Sequence, residues 1–263
     1  MSTKLKFPDN FLWGAATSAH QVEGNTKNNW SEWEKKNAER LAEKAKTYWQ
    51  DWQKEKFPEM LNPENHISGR ACDHYNLYEK DFDIAKELGH NAHRFSIEWS
   101  RIEPEEGKFD EKEIEHYRNV IKALKQRNIE PFITLWHFTD PIWINQKGSW
   151  ENKETARYFV RYAEKVINCF GDQVKFWLSF NEPATYAGHI HIFGAWLTRK
   201  KSLISADKVI KNICLAHREL YKKIHEKKDN DIQLGIVFNL KHHTAYNQKN
   251  ILDKLLAKID EYF

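Results

Sequence analysis

The residues best placed for acid–base chemistry lie in Phe176–His189, FWLSFNEPATYAGH. A short apolar run ends in Asn181-Glu182-Pro183, and a carboxyl group at the end of a buried strand can serve as a proton donor. Flanked by Phe180 and Trp177, Glu182 would resist ionisation and could hand its proton to a substrate. Pro183 biases the residue before it toward extended backbone, which would hold Glu182 at the strand end. Successive strand residues point to opposite faces. If Asn181 and Glu182 serve one site, a bulge or turn must break that alternation. The competing reading of Glu182 is a carboxylate paired structurally with an arginine. Acid–base hydrolysis usually needs a second carboxyl group. Glu98 and Asp140 are conceivable, though each has an ordinary structural explanation.

Other polar residues interrupt apolar runs in the same way. Arg94 lies in HRFSIEW, where burial is costly unless the guanidinium is paired. Its partner is either Glu98 on the same run or a carboxylate from elsewhere. His137 ends PFITLWH and could bind a hydroxyl or be a satisfied core histidine. Gln21, in SAHQVEG, could hold hydroxyls bidentately through its amide or cap a loop. No metal site is expected: His189/His191 and His242-His243 come without a carboxylate at ligand spacing. Neither a glycine-rich phosphate loop nor a G-x-S-x-G elbow is present, so no cofactor is expected.

These residues need elements to position them, and the chain alternates short β-type runs with longer amphipathic ones. The short runs are Phe11–Thr17, His93–Trp99, Pro131–His137, Lys175–Phe180 and Gln233–Asn239. Helices are expected over Asp73–Leu88, Asp110–Arg127, Lys153–Phe170, Ser205–Lys228 and Asn250–Phe263. In the second of these, Ile114, Tyr117, Ile121 and Leu124 recur at three- and four-residue steps. Gly89 suits the C-terminal end of the first, and Ser205 makes a weak cap for the fourth. Repeated strand–helix–strand units imply parallel strands covered by helices. An open doubly wound sheet and a (β/α)8 barrel compete. GAATSAHQVEG lacks a G-x-G-x-x-G fingerprint, which favours the barrel, with five of its strands in this chain. In a parallel barrel the strand C-termini carry the chemistry, and Gln21, Arg94, His137, Asn181 and Glu182 collect there. The segment 28–63, polar and carrying Trp30, Trp33, Trp49 and Trp52, reads as an elaborated loop over the barrel mouth. Its aromatics read first as packing onto the body and second as a sugar platform.

Composition excludes several classes. The 263 residues carry a net charge of only +3 with both signs interspersed, so no nucleic-acid stripe is expected. Mixed charges on 28–63 and the lack of a long apolar run argue against a membrane partner. Three widely spaced cysteines, Cys72, Cys169 and Cys214, suggest no disulfide framework. MSTKLKFPDNFLWG has no secretory apolar core, and a cytoplasmic setting is expected.

The order of the motifs is more specific than any one of them. FPDNFLWGAATSAHQVEG, HRFSIEWSRIEP, PFITLWHFTDPIW and FWLSFNEP together resemble the successive signatures of glycoside hydrolase family 1, the retaining β-glucosidases, β-galactosidases and relatives. The resemblance implies a (β/α)8 barrel, with Glu182 as general acid/base and Asn181 at the sugar 2-hydroxyl. It implies that Gln21 and His137 hold hydroxyls of the sugar and that Arg94 sits beside the catalytic nucleophile. Two departures concern the sugar contacts. His137-Phe138-Thr139-Asp140-Pro141 replaces the common His-Trp-Asp-Leu-Pro, and GAWLTRKKS stands where many members have a proline-rich turn.

Family members are much longer than this chain, which resembles their first five strands: a single incomplete barrel portion over 1–263. The Thr-Glu-Asn-Gly signature of the nucleophile strand does not occur. The expectation is therefore the acid/base half of a glycosidase acting on a β-linked glycoside. A complementary chain would supply strands six to eight and the nucleophile. The alternatives are a catalytically inactive, truncated protein that self-associates or binds sugar, and an engineered or proteolytic fragment.

Overall fold

A computed structural model describes residues 6–197, 201–226, 231–240 and 242–260. Five strands form one parallel sheet in sequence order: β1 (Gly14–Ala16), β2 (Ala92–Ser96), β3 (Glu130–Trp136), β4 (Phe176–Asn181) and β5 (Gln233–Val237). Six longer helices accompany them: α1 (Asn29–Tyr48), α2 (His74–Glu87), α3 (Glu111–Gln126), α4 (Glu154–Phe170), α5 (Leu203–His225) and α6 (Ile251–Asp260). The expected ends of the last two helices, 227–228 and 261–263, lie outside the described residues.

Local chemistry explains the boundaries. Asp110 caps α3 by accepting from the Lys112 and Glu113 amides. The four apolar positions read from its spacing are all buried. Gly89 takes φ +83 just past α2, a conformation open to glycine at no steric cost. The cap of α5 is Ser202, whose hydroxyl accepts from the Ser205 amide; the helix begins earlier than Ser205 because that side chain is available to close it. The first strand is shorter than Phe11–Thr17. At Gly14 it approaches β2 so closely that a Cβ would lie 2.0 Å from the Ala92 carbonyl oxygen.

The two faces of the sheet differ. Toward the helices, Trp177 and Phe180 are fully buried, and Phe180 packs on Phe159 of α4 at 4.4 Å between ring centroids. On the other face Phe132 and Phe176 stack at 4.4 Å with nearly parallel rings and stay half-buried. Arg94, level with Phe132, shares that face with Thr134 and Asn181. β1 and β5 have no outer strand partner among the described residues. The apolar residues Leu252, Leu255 and Leu256 of α6 are exposed.

The segment 28–63 holds α1, the short helix Asp51–Lys56 and a single turn, Pro58–Leu61, with a second turn, Pro63–His66, following at its end. Asn28 caps α1, and the Trp30 indole donates to the Phe138 carbonyl just past β3.

Candidate active site

β4 ends irregularly. Its register with β5 shifts between Leu178 and Asn181. Ser179 bonds outward to His217 of α5 and Phe180 also packs outward, so two consecutive side chains share the helix side. The extra residue returns Asn181 to the open face; this break lies before Asn181, whereas the expected one lay between Asn181 and Glu182, where the left-handed backbone of Glu182 ends the strand. There Arg94 Nη2 donates to Asn181 Oδ1 at 2.5 Å and Arg94 Nε donates to Thr134 Oγ1 at 2.9 Å.

Glu182 is not extended. It sits in the left-handed region, at φ 42 and ψ 63, and leads into a short helix, Pro183–Ala187. Proline disfavours the right-handed helical region for the residue before it but leaves the left-handed one accessible. Two backbone bonds hold it there: the Glu182 amide donates to Val237 O at 2.9 Å, and its carbonyl accepts from the Tyr186 amide at 3.1 Å. Phe138, just past β3, also has positive φ, at 71°. Such strained non-glycine residues persist where surrounding structure over-determines them, as at ligand sites.

Burial lowers the Arg94 pKa from its usual range, and the negative charge of Glu182 acts against that. Arg94 and Glu182 therefore sense each other at the strand ends. Glu98 does not pair with Arg94. It is buried, accepts from Ser100 Oγ at 2.7 Å and Thr139 Oγ1 at 3.0 Å, and is held away from the guanidinium by those bonds. Asp140 is likewise enclosed. The indoles of Trp136 and Trp150 and the Ser149 hydroxyl donate to it, yet burial still pushes it up to about 6. Neither carboxyl is free to act as a second catalytic group.

His137 and Gln21 meet on a cavity of 320 Å³ that Trp30, Phe138 and Trp196 also line. Burial, and then the Arg94 charge, push the His137 imidazole down to about 4, so it is neutral at pH 7. Its Nδ1 is buried without a hydrogen-bond partner among the described residues. A buried ring nitrogen without a partner is costly unless a ligand meets it. Ser18 Oγ donates to Gln21 Oε1 at 2.7 Å, which orients the amide. The wall behind is tied to α1: His20 bonds Thr26 and Glu34, each at 2.9 Å, and Ser68 donates to Glu34 through both its amide and its hydroxyl. Burial raises Glu34, but these bonds outweigh it and leave the carboxyl lowered.

Sequence reasoning missed Thr134, which holds Arg94, and the Trp30–Trp196 wall. Thr134 could have been found by alternation, two residues beyond the register partner of Arg94. Trp196 carries no local signal, because its role depends on a contact with α1. Among the described residues no group of three or more metal-type ligands forms. No helix there is long and apolar enough to cross a membrane.

A parallel half-barrel with polar groups at its strand C-termini is the frame of a (β/α)8 glycosidase. The family model for glycosyl hydrolase family 1 matches residues 3–261, and the chain belongs to that family. It is 35% identical over 235 residues to the 1,4-beta-D-glucan glucohydrolase of Thermotoga neapolitana, covering 89% of this chain and 51% of that protein. It is 34% identical over 248 residues to beta-glucosidase A of Acetivibrio thermocellus, covering 94% and 52%. A beta-glycosidase from Pyrococcus horikoshii superposes with a TM-score of 0.80 at 35% identity, over 98% of this chain and 54% of its own. These relatives have (β/α)8 barrels, and the chain spans about half their length.

Proposed function

We propose that this chain carries the acid/base half of a retaining β-glycosidase site, acting on β-glucosides or β-galactosides. One observation carries the reading: the β4 bulge and the left-handed Glu182 bring Asn181, Arg94 and a half-buried carboxyl group to one strand end. In the first step the Glu182 proton passes to the glycosidic oxygen as its bond to the anomeric carbon breaks. A second carboxylate, about 5 Å away, bonds to that carbon. In the second step Glu182 takes a proton from water, the water oxygen bonds to the anomeric carbon, and the carboxylate leaves.

Glu98 and Asp140 are enclosed, so the second carboxylate comes from a complementary segment or chain that closes the barrel beside Arg94. With Asn181 Oδ1 engaged by Arg94, the remaining group of that amide is a donor, suited to a sugar 2-hydroxyl. Gln21 and the neutral His137 would hold other hydroxyls of the same ring. The three cysteines are unpaired, which suits a cytoplasmic setting. The test joins the chain to a polypeptide carrying the missing strands and follows aryl β-glucoside and β-galactoside hydrolysis. Activity should need both pieces and vanish with Glu182→Gln; hydrolysis by the lone chain that survives Glu182→Gln would sink the assignment.

A further inference from the structure

The β4 bulge is held from the helix side of the sheet. Leu178 is level with Gly235 and Asn181 with Val237, so Ser179 and Phe180 together face the single residue Ile236 of β5. Ser179 is fully buried. Its Oγ lies 3.1 Å from the Gly235 carbonyl oxygen and 2.8 Å from Nδ1 of His217, on α5. A carbonyl oxygen can only accept, so the one hydroxyl proton goes to Gly235. The hydroxyl oxygen then accepts from His217, whose Nδ1 carries the ring proton. Burial lowers the His217 pKa from its usual range, so the ring is neutral at pH 7 and this N–H fixes its tautomer.

We infer that Ser179 and His217 are positioning residues: acting through the bulge and β5, they hold Asn181 at the open face and Glu182 in its left-handed turn. Ser179 ties β4 to β5 and to α5 where the register slips. The support behind it is firm, since Ile213, Ala216 and Leu220 of α5 are fully buried around His217. The link reaches the site through β5. Two residues beyond Gly235, Val237 is level with Asn181, and its carbonyl accepts from the Glu182 amide at 2.9 Å. An apolar side chain at 179 would fill the helix side with no hydroxyl to satisfy. The serine adds a bond between strands where the ladder is interrupted. Both side chains lie behind the sheet and touch no substrate; what Asn181 and Glu182 do in front of it rests on the glycosidase reading.

Hydrogen exchange of the lone chain tests the geometry. In Ser179→Ala the Glu182 amide should exchange at least about tenfold faster, the scale of one lost buried hydrogen bond, while the Ile133 amide of β3 keeps its rate. His217→Leu should shift it in the same direction. Ser179→Thr keeps the hydroxyl and His217→Asn can donate in place of Nδ1, so both should stay within about threefold of the unaltered chain. In the chain joined to the missing strands, Ser179→Ala should lower kcat for aryl β-glucosides by about ten- to a hundredfold, as a displaced catalytic group does, and change KM much less. An unchanged Glu182 amide, equal acceleration at Ile133, or an unaltered kcat in an active Ser179→Ala protein would overturn the positioning role. Faster exchange confined to Glu182, in a chain that hydrolyses nothing when complemented, would keep Ser179 and His217 as holders of the bulge and sink the glycosidase assignment.

Discussion

The helix-covered face of the sheet and its opposite face are made from the same strands, yet they are finished differently. On the covered side the buried carboxyl groups Glu23 and Asp140 are enclosed and answered, although His93 Nδ1 has no hydrogen-bond partner among the described residues. Tyr117 and Arg101 both donate to Glu23, at 2.8 and 2.9 Å, and three donors surround Asp140. On the other side Phe132 and Phe176 stack in the open, His137 keeps a buried nitrogen without a partner among the described residues, and Glu182 holds a strained backbone. The covered face holds the aromatic packing against the helices, and the open face leaves Phe132 and Phe176 half-buried and Glu182 strained at the end of β4.

Core truncation should show the widest gap. Phe159→Ala, on the covered side, should cost about 3–5 kcal/mol in urea unfolding. Phe132→Ala, already half-exposed, should cost less than half of that; equal costs would break the contrast. Next in size is Arg101→Ala, which leaves Glu23 buried without its cation, at a cost of about 3–5 kcal/mol at pH 8. Even in the intact protein, burial pushes Glu23 up to about 7, against the pull of Arg101 and Tyr117. The loss should therefore shrink toward pH 5, where the isolated carboxyl group is protonated; a pH-independent cost would contradict the enclosure of Glu23.

Acid should act through the covered histidines. Burial, with the charges of His74 and His90, pushes His93 down to about 4. A folded value below the unfolded one, about 6.5, means that the unfolded chain binds the proton first. Stability is retained above 6.5 and falls as the pH drops toward 4, by on the order of 3 kcal/mol for this group. Glu23 works in the opposite direction, since its raised value favours the fold below about 4.5 and loses that contribution as pH rises through 7. His93→Gln should flatten the acid limb of a stability–pH curve, and an unchanged limb would reject the assignment. The smallest stability change is expected at the site itself. Glu182→Gly relieves a left-handed side chain and should stabilise by a few tenths to about 1 kcal/mol, while abolishing hydrolysis by the complemented protein. A loss of stability there would mean that Glu182 is a structural residue.

Much of this contrast was legible in the residue order. Apolar spacing located α3, and Gly89 marked the end of α2. The need for Asn181 and Glu182 to share a side called for an irregularity at Asn181; β4 is irregular just before it, between Leu178 and Asn181. The left-handed backbone of Glu182 was not legible, because the preference imposed by Pro183 is local whereas the bond to Val237 comes from β5, more than fifty residues away. The partner of Arg94 was open for the same reason: Glu98 is near in sequence, but Ser100 and Thr139 hold it elsewhere.

By itself the sequence determined the alternation of strands and helices, the family, and the residues available at the strand ends. Those depend on periodicity, on turn chemistry and on the order of motifs, all of which are local or additive along the chain. Only the tertiary structure decided which face of the sheet is sealed, that Arg94 is held by Thr134 and Asn181, and that Trp196 meets Trp30 of α1 on the wall of the inner cavity. Such pairings bring together residues far apart in the chain, and their geometry is set by packing between elements, which no local pattern encodes.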